Sequence, residues 1–317
     1  KQADRLLLQG INYVHLGKYD DAFTNFKQVQ KLLPEHPAGY FFSAAALEWV
    51  MIDFRYFEYD PLFHSNIDLT IKFAEKMYDK NEDDPWANFY LGAGYGFSGI
   101  YLIKYGNWIK AFWRGIKGYD YMKDAYELDS SIGDVLYATG QYHYYKGLKS
   151  GLLSWLPFIN KKKEKKMGVK QLRLCSIQGK YCKMEASDSL AKINYFEGNY
   201  QKSLELYQEK NKKFPRYVYY KRYIVLSYIG LEKWPQAYTN ALELEALIET
   251  YPYKNISTDI EIAYYKGLTM IKQGEEEKGL EYLRFILQLP DEKTDPLPHY
   301  DEYADKAEEL MDELADK

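Results

Sequence analysis

The chain has 317 residues, 46% hydrophobic and 17% aromatic, with 34 tyrosines and a formal net charge of −4. That composition allows a large core and gives no global case for nucleic acid or an anionic membrane as partner. Two cysteines are too few for a disulfide framework, and the surplus of Tyr over Phe suits half-wet surfaces where a ring packs and its hydroxyl meets water.

The first predicted helix pair lies in Gly10 to Pro34, where Gly10, Tyr13, Gly17, Tyr19, Ala22, Phe26 and Pro34 fall at offsets 0, 3, 7, 9, 12, 16 and 24. Gly10 is small where one helix must approach the next, and Tyr13 shares its face. Gly17 is the residue type that ends a helix in the left-handed conformation, and Asp20 can cap the next helix. Ala22 and Phe26 form the inward stripe of the second helix, which Pro34 stops. The spacing resembles the tetratricopeptide repeat (TPR), a helix–turn–helix unit of about 34 residues that stacks because one pair cannot bury its apolar faces alone.

The remaining elements follow in order. Unit two (37–85) has a first helix through Tyr40, Ala44 and Leu47 to about Phe54, an aromatic turn region from Arg55 to Phe63, and a second helix from Asn66 to Asp79. Unit three (86–131) places Gly92 and Tyr95 where the first unit has Gly10 and Tyr13, with extra residues between Ile100 and Gly118 that include Trp108 and Trp113. Unit four (132–182) has Gly140 in the glycine place and a long insertion before Gly168. Units five (183–216), six (217–256) and seven (257–291) return to near-standard length after the first unit (3–36), and 297–316 reads as an acidic capping helix with Tyr303, Ala307, Leu310 and Leu314 facing in. No stretch alternates with period two. The expectation is an all-α fold, a right-handed α-solenoid of about seven TPR-like helix pairs in one domain, with long insertions in units two to four and a C-terminal capping helix. Gly140–Gly147, Gly151–Ile159 and Gly168 further resemble the glycine–serine–leucine–proline pattern of the mitochondrial inclusion-body-clearance family, also TPR-like. The glycine-rich segment of that family is replaced here by Lys161–Lys166, so the resemblance implies shared architecture at most.

Charge is unevenly spread. Residues 291–317 hold eleven Asp/Glu against three Lys/Arg, and residues 160–183 hold nine Lys/Arg against Glu164; solvated surface explains both, and an acidic partner is the alternative for the basic stretch. The five histidines, His15, His36, His64, His143 and His299, occur singly without metal-ligand spacing, and Cys175 and Cys182 lack CxxC partners, so no metal site and no cofactor is expected. On one straight helix those cysteines stand roughly 10 Å apart, too far to bridge, although a break at Gly179 leaves a bridge open. Gly92–Gly96 is not a phosphate loop, since no strand precedes it and no Gly-Lys-Ser/Thr follows. Trp86–Ile103 carries no charge over eighteen residues but holds four glycines, Asn88 and Ser98, which argues against a transmembrane span. The chain begins at Lys1 without Met; that leaves open a removed leader and an exported or periplasmic location, and does not exclude the cytoplasm.

Two surfaces emerge as candidates. In TPR proteins, positions 2, 5, 9, 12 and 13 of each first helix line the concave groove. The resemblance therefore assigns Phe41, Trp49, Phe89, Phe97, Tyr137, Gln141, Tyr144, Tyr145, Tyr195 and Arg222 to partner contact, with Phe196, Tyr219 and Tyr264 beside them. This aromatic face suits a protein or extended peptide. It suits equally a small flat ligand enclosed by units two to four. Folding of the long inserts into the groove would instead turn the same rings into core. Leu7 and Ile11 stand where chaperone-binding TPRs carry Lys and Asn, which removes support for capture of an acidic C-terminus. The second surface is Leu152–Lys166, where Trp155 and Phe158 precede Lys161, Lys162 and Lys163; it reads either as a membrane-surface or acidic-partner contact or as a packed apolar run beside a solvated loop. No nucleophile, base and orienter are placed by a recognisable motif, so no enzyme is expected.

Overall fold

Six of the helix pairs turn through a residue in the left-handed region. The positive-φ residues among those described are Gly17 (69°), Arg55 (52°), Gly106 (70°), Gly198 (78°), Glu232 (56°) and Gly274 (85°), and every one follows the first helix of a pair. The computed structural model describes residues 1–104, 106–148, 160–290 and 300–315.

Among these residues there are fifteen α-helices and no strand. The helices are α1 (Gln2–His15), α2 (Tyr19–Leu32), α3 (Pro37–Phe54), α4 (Asp60–Tyr78), α5 (Pro85–Lys104), α6 (Trp108–Leu128), α7 (Val135–Lys146), α8 (Lys161–Gln178), α9 (Lys183–Phe196), α10 (Tyr200–Lys213), α11 (Val218–Gly230), α12 (Trp234–Glu249), α13 (Ile256–Lys272), α14 (Glu276–Leu287) and α15 (Tyr300–Ala315). A single 3-10 turn, Phe57–Tyr59, precedes α4. The fold is all-α and TPR-like: within each unit consecutive helices pack on one another, α4 to α8 in the first and α10 to α14 in the second. The extra length of the third pair is carried as added helical turns, so Ile100–Lys104 and Trp108–Gly118 are helical.

Two units divide the chain. The first comprises Lys1–Tyr13, Tyr19–Leu47 and Asp60–Leu190, and the second Val14–Lys18, Glu48–Tyr59 and Ala191–Lys317. The first unit owes its closest crossings to glycine. A Cβ on Gly118 would lie 2.8 Å from the Gly96 nitrogen and 2.9 Å from the Gly92 oxygen, so α5 and α6 meet backbone to backbone. A Cβ on Gly168 would lie 2.5 Å from the Tyr144 nitrogen and 2.6 Å from the Gly140 oxygen, which gives α7 and α8 the same contact. In the second unit, α15 packs on α13 and α14 with Tyr303, Ala307 and Leu310 buried and Leu314 half-buried.

No described helix is long and apolar enough to cross a membrane. Both cysteines are free thiols; α8 ends at Gln178, Gly179 turns the chain, and the Cys175 thiol faces the Cys182 carbonyl at 3.8 Å.

Candidate partner-binding face

The first unit holds seven of the ten residues that the TPR register assigns to the groove, and they divide by depth. Phe41, Phe89 and Tyr144 are buried. Phe41 packs edge-on against Phe42, Tyr90 and Phe97, and Phe89 packs against Trp86 and Tyr90, so these rings are core. Phe97, Tyr137 and Gln141 are half-buried, and Tyr145 is 43% exposed.

Tyr137, Gln141 and Tyr145 follow one another at four-residue intervals on α7, which puts them on one side of that helix. The Gln141 amide nitrogen donates to the Ser189 hydroxyl of α9 at 3.2 Å and lies 3.4 Å from the Tyr137 hydroxyl. Its orientation is thereby set, with the amide oxygen left as acceptor capacity. Tyr144, on the adjacent side, is 1% exposed and fixes the helix through its contact with Gly168. The result is a strip of two phenols and one amide backed by core rings.

The second unit holds Trp49, Tyr195 and Arg222. Trp49 and Tyr195 are half-buried: Trp49 lies edge-on to Tyr217 and Tyr219, and Tyr195 packs with Phe196, Tyr200 and Tyr223. Tyr219 is buried and Tyr264 half-buried. Arg222 is 3% exposed and engaged within the protein. Its Nε lies 3.0 and 3.1 Å from the two Glu261 oxygens, and its Nη2 donates to the Asp53 carbonyl. Arg55 also reaches Glu261 at 3.2 Å, and the hydroxyls of Tyr265 and Tyr303 donate to it at 2.9 and 3.1 Å. Burial alone would raise the Glu261 carboxyl. The two guanidiniums and the hydrogen bonds from Arg222 and Tyr265 outweigh it and hold the group down at about 2.

This ion network escaped the sequence reading because its members are far apart: Arg222 and Glu261 are 39 residues apart, and Asp53 is 169 from Arg222. A second such cluster joins α6, α7 and α8. Tyr119 Oη lies 3.2 Å from His143 Nε2, and His143 Nδ1 lies 2.6 Å from Glu164, which Lys146 approaches at 3.4 Å. Here too burial pushes the Glu164 carboxyl up, and His143 and Lys146 pull it below the usual range.

Trp155 and Phe158 lie outside the described residues. Lys161, Lys162 and Lys163 form the first turn of α8, where the Asn160 side chain accepts from the Lys163 amide at 3.1 Å. Among the described residues no group of three or more His, Cys, Asp or Glu could hold a metal ion.

No family model matches the sequence, and no curated protein matches it. Solved structures do. Human IFIT1 in its dimer with PPP-AAAA is similar at 14% identity and a TM-score of 0.48, covering 87% of this chain; the chain spans only 58% of that protein's length. Yeast Tom70 is similar at 12% identity and a TM-score of 0.34, over 94% of this chain and 87% of its own. The TPR2AB domain of yeast Sti1, in a complex with pHSP90, is similar at 15% identity and a TM-score of 0.31, over 96% of this chain and 98% of its own. With every one of these TM-scores below 0.5, the TPR-like description rests on the helix pairs themselves, and what those proteins bind does not transfer.

Proposed function

We propose that this chain is a non-catalytic scaffold that holds a protein or peptide against the aromatic first-helix face of its first unit. The observation that carries this reading is the α7 strip, in which Tyr137, Gln141 and Tyr145 share one face and retain solvent access while the rings behind them are core. Tyrosine offers a rigid ring with a polar tip at low entropic cost, the side-chain type that dominates binding energy in protein interfaces. A glutamine amide fixed by Ser189 can accept from a peptide backbone without paying for its own ordering.

Panning a displayed random-peptide library on the purified chain tests the reading. Peptides should be enriched, and Tyr145→Ala should weaken the selected ones by about tenfold. Gln141→Ala should weaken them less, by a few-fold. Absence of enrichment, or affinities unchanged in both variants with helical content intact, overturns it. Tyr144 is unsuitable for this purpose: it is fully buried, and its truncation would cost about 3–5 kcal/mol of stability.

A further inference from the structure

The start of α6 carries large apolar side chains that no neighbouring helix takes up among the described residues. Ile109 is 74% exposed, Trp113 64% and Trp108 47%, with Ile100 exposed at the facing end of α5 and Phe112 and Ile116 half-buried between them. Three or more such groups on two and a half turns exceed the scattered single residues usual on a monomer.

Their exposure has a geometric cause. α6 meets α7 at Tyr119, whose ring stacks on Tyr142 at 4.2 Å and whose hydroxyl meets His143. The segment from Trp108 to Gly118 precedes that level, a rise of about 16 Å, whereas α7 continues only from Tyr144 to Lys146, about 5 Å. The end of the α5–α6 hairpin therefore stands past its neighbour. Its two helices are in contact through the glycine crossing, where Gly99 approaches the Ala111 oxygen as Gly92 and Gly96 approach Gly118.

The stripe is amphipathic in a particular way. At 100° per residue, Trp108, Phe112, Ile116, Ile109 and Trp113 span one arc, and Lys110, Arg114 and Lys117 occupy the next, while Ala111 and Gly118 face α5. From Ile100 to Gly118 there are four cations, Lys104 included, and no acid. Arg114 and Lys117, on the arc beside the stripe, lie over the Tyr95 ring, and Lys117 also donates to the Tyr95 hydroxyl at 2.8 Å.

We infer that the α5–α6 hairpin end docks on an anionic lipid bilayer surface, its Trp and Ile side chains entering the interface and its cations meeting the headgroups. Tryptophan prefers the headgroup level, and a helix with rings on one arc and Lys/Arg on the next lies in that plane. A second copy is the weaker occupant, because a two-fold contact would set the same four cations against themselves. The proposal makes no use of the α7 strip and stands or falls apart from it.

Co-sedimentation of the full chain with sucrose-loaded vesicles tests it. On vesicles of three parts phosphatidylcholine to one part phosphatidylglycerol the chain should pellet, and on pure phosphatidylcholine it should pellet far less. Lys110→Glu should lower partition about tenfold. Trp108→Ala with Trp113→Ala should lower it at least about tenfold while the thermal melt stays unchanged, since both rings are exposed. No pelleting of the wild type overturns the proposal, as does equal binding to neutral and anionic vesicles or partition unmoved in both variants. Self-association in sedimentation that the Trp substitutions abolish, or capture of soluble polyglutamate without vesicle binding, assigns the surface to another occupant and overturns it equally.

Discussion

Glu232 sits at φ 56° in the turn between α11 and α12, at a place where four other pairs use Gly17, Gly106, Gly198 and Gly274. An L side chain in that region costs about 1–2 kcal/mol, and the Glu232 side chain is exposed. Glu232→Gly should therefore stabilise the protein, by about 0.5–1 kcal/mol after the entropy that glycine adds to the unfolded chain; chemical denaturation would read this directly. The glycines of the crossings behave oppositely. Gly168→Ala would drive a methyl into the α7 backbone and should cost about 2–3 kcal/mol, whereas a methyl on Gly96 meets nothing within 4 Å and should be neutral or stabilising by up to about 1 kcal/mol. Gly92 and Gly96 are one helical turn apart, yet the contact needs the missing side chain at Gly92 and Gly118, while Gly96 takes part through its backbone, a distinction that spacing alone does not carry.

Among the elements, α13 shows what the repeat register can and cannot convey. The register identified the first helices and their turns because Gly, Pro and small-residue offsets act locally, and Tyr303, Ala307 and Leu310 of the capping helix could be read from a single 3.6-residue period. It also assigned Arg222 to the concave groove, and a register gives a side but not what covers that side. Glu261, at 0% exposure, covers it with a paired charge. Arg222→Met should cost about 3–5 kcal/mol, since it leaves the carboxylate underpaired. Adding Glu261→Gln should recover a large part of that loss, and a double-mutant cycle measures the coupling. Tyr303→Phe removes one hydrogen bond that ties α15 to the same carboxylate and should cost about 1 kcal/mol. Equal losses in the single and double variants would show that the pair is not the stabilising element.

For the molecule as a whole, the same carboxylate sets an acid limit. Its folded value of about 2 lies below the ordinary 4.5, so its contribution is fully present above about 4.5 and disappears as pH falls towards 2. That contribution is on the order of 3 kcal/mol, and the pH dependence of unfolding between those limits should be shallower in Glu261→Gln. The candidate face was partly legible at this scale. The register carried the aromatic character of the first helices, but three of its eight assigned rings, Phe41, Phe89 and Tyr144, are core, because helices this long supply their own neighbours to bury them. Tyr145, on the α7 strip, is the most exposed of the ten residues assigned to the groove.

Hydrogen exchange on the chain with and without a library-selected peptide tests that strip most directly. The account predicts added protection on α7 (Val135–Lys146) and at Ser189 of α9, lost in Tyr145→Ala. Protection confined to other helices, or none on α7 despite saturation with peptide, contradicts it.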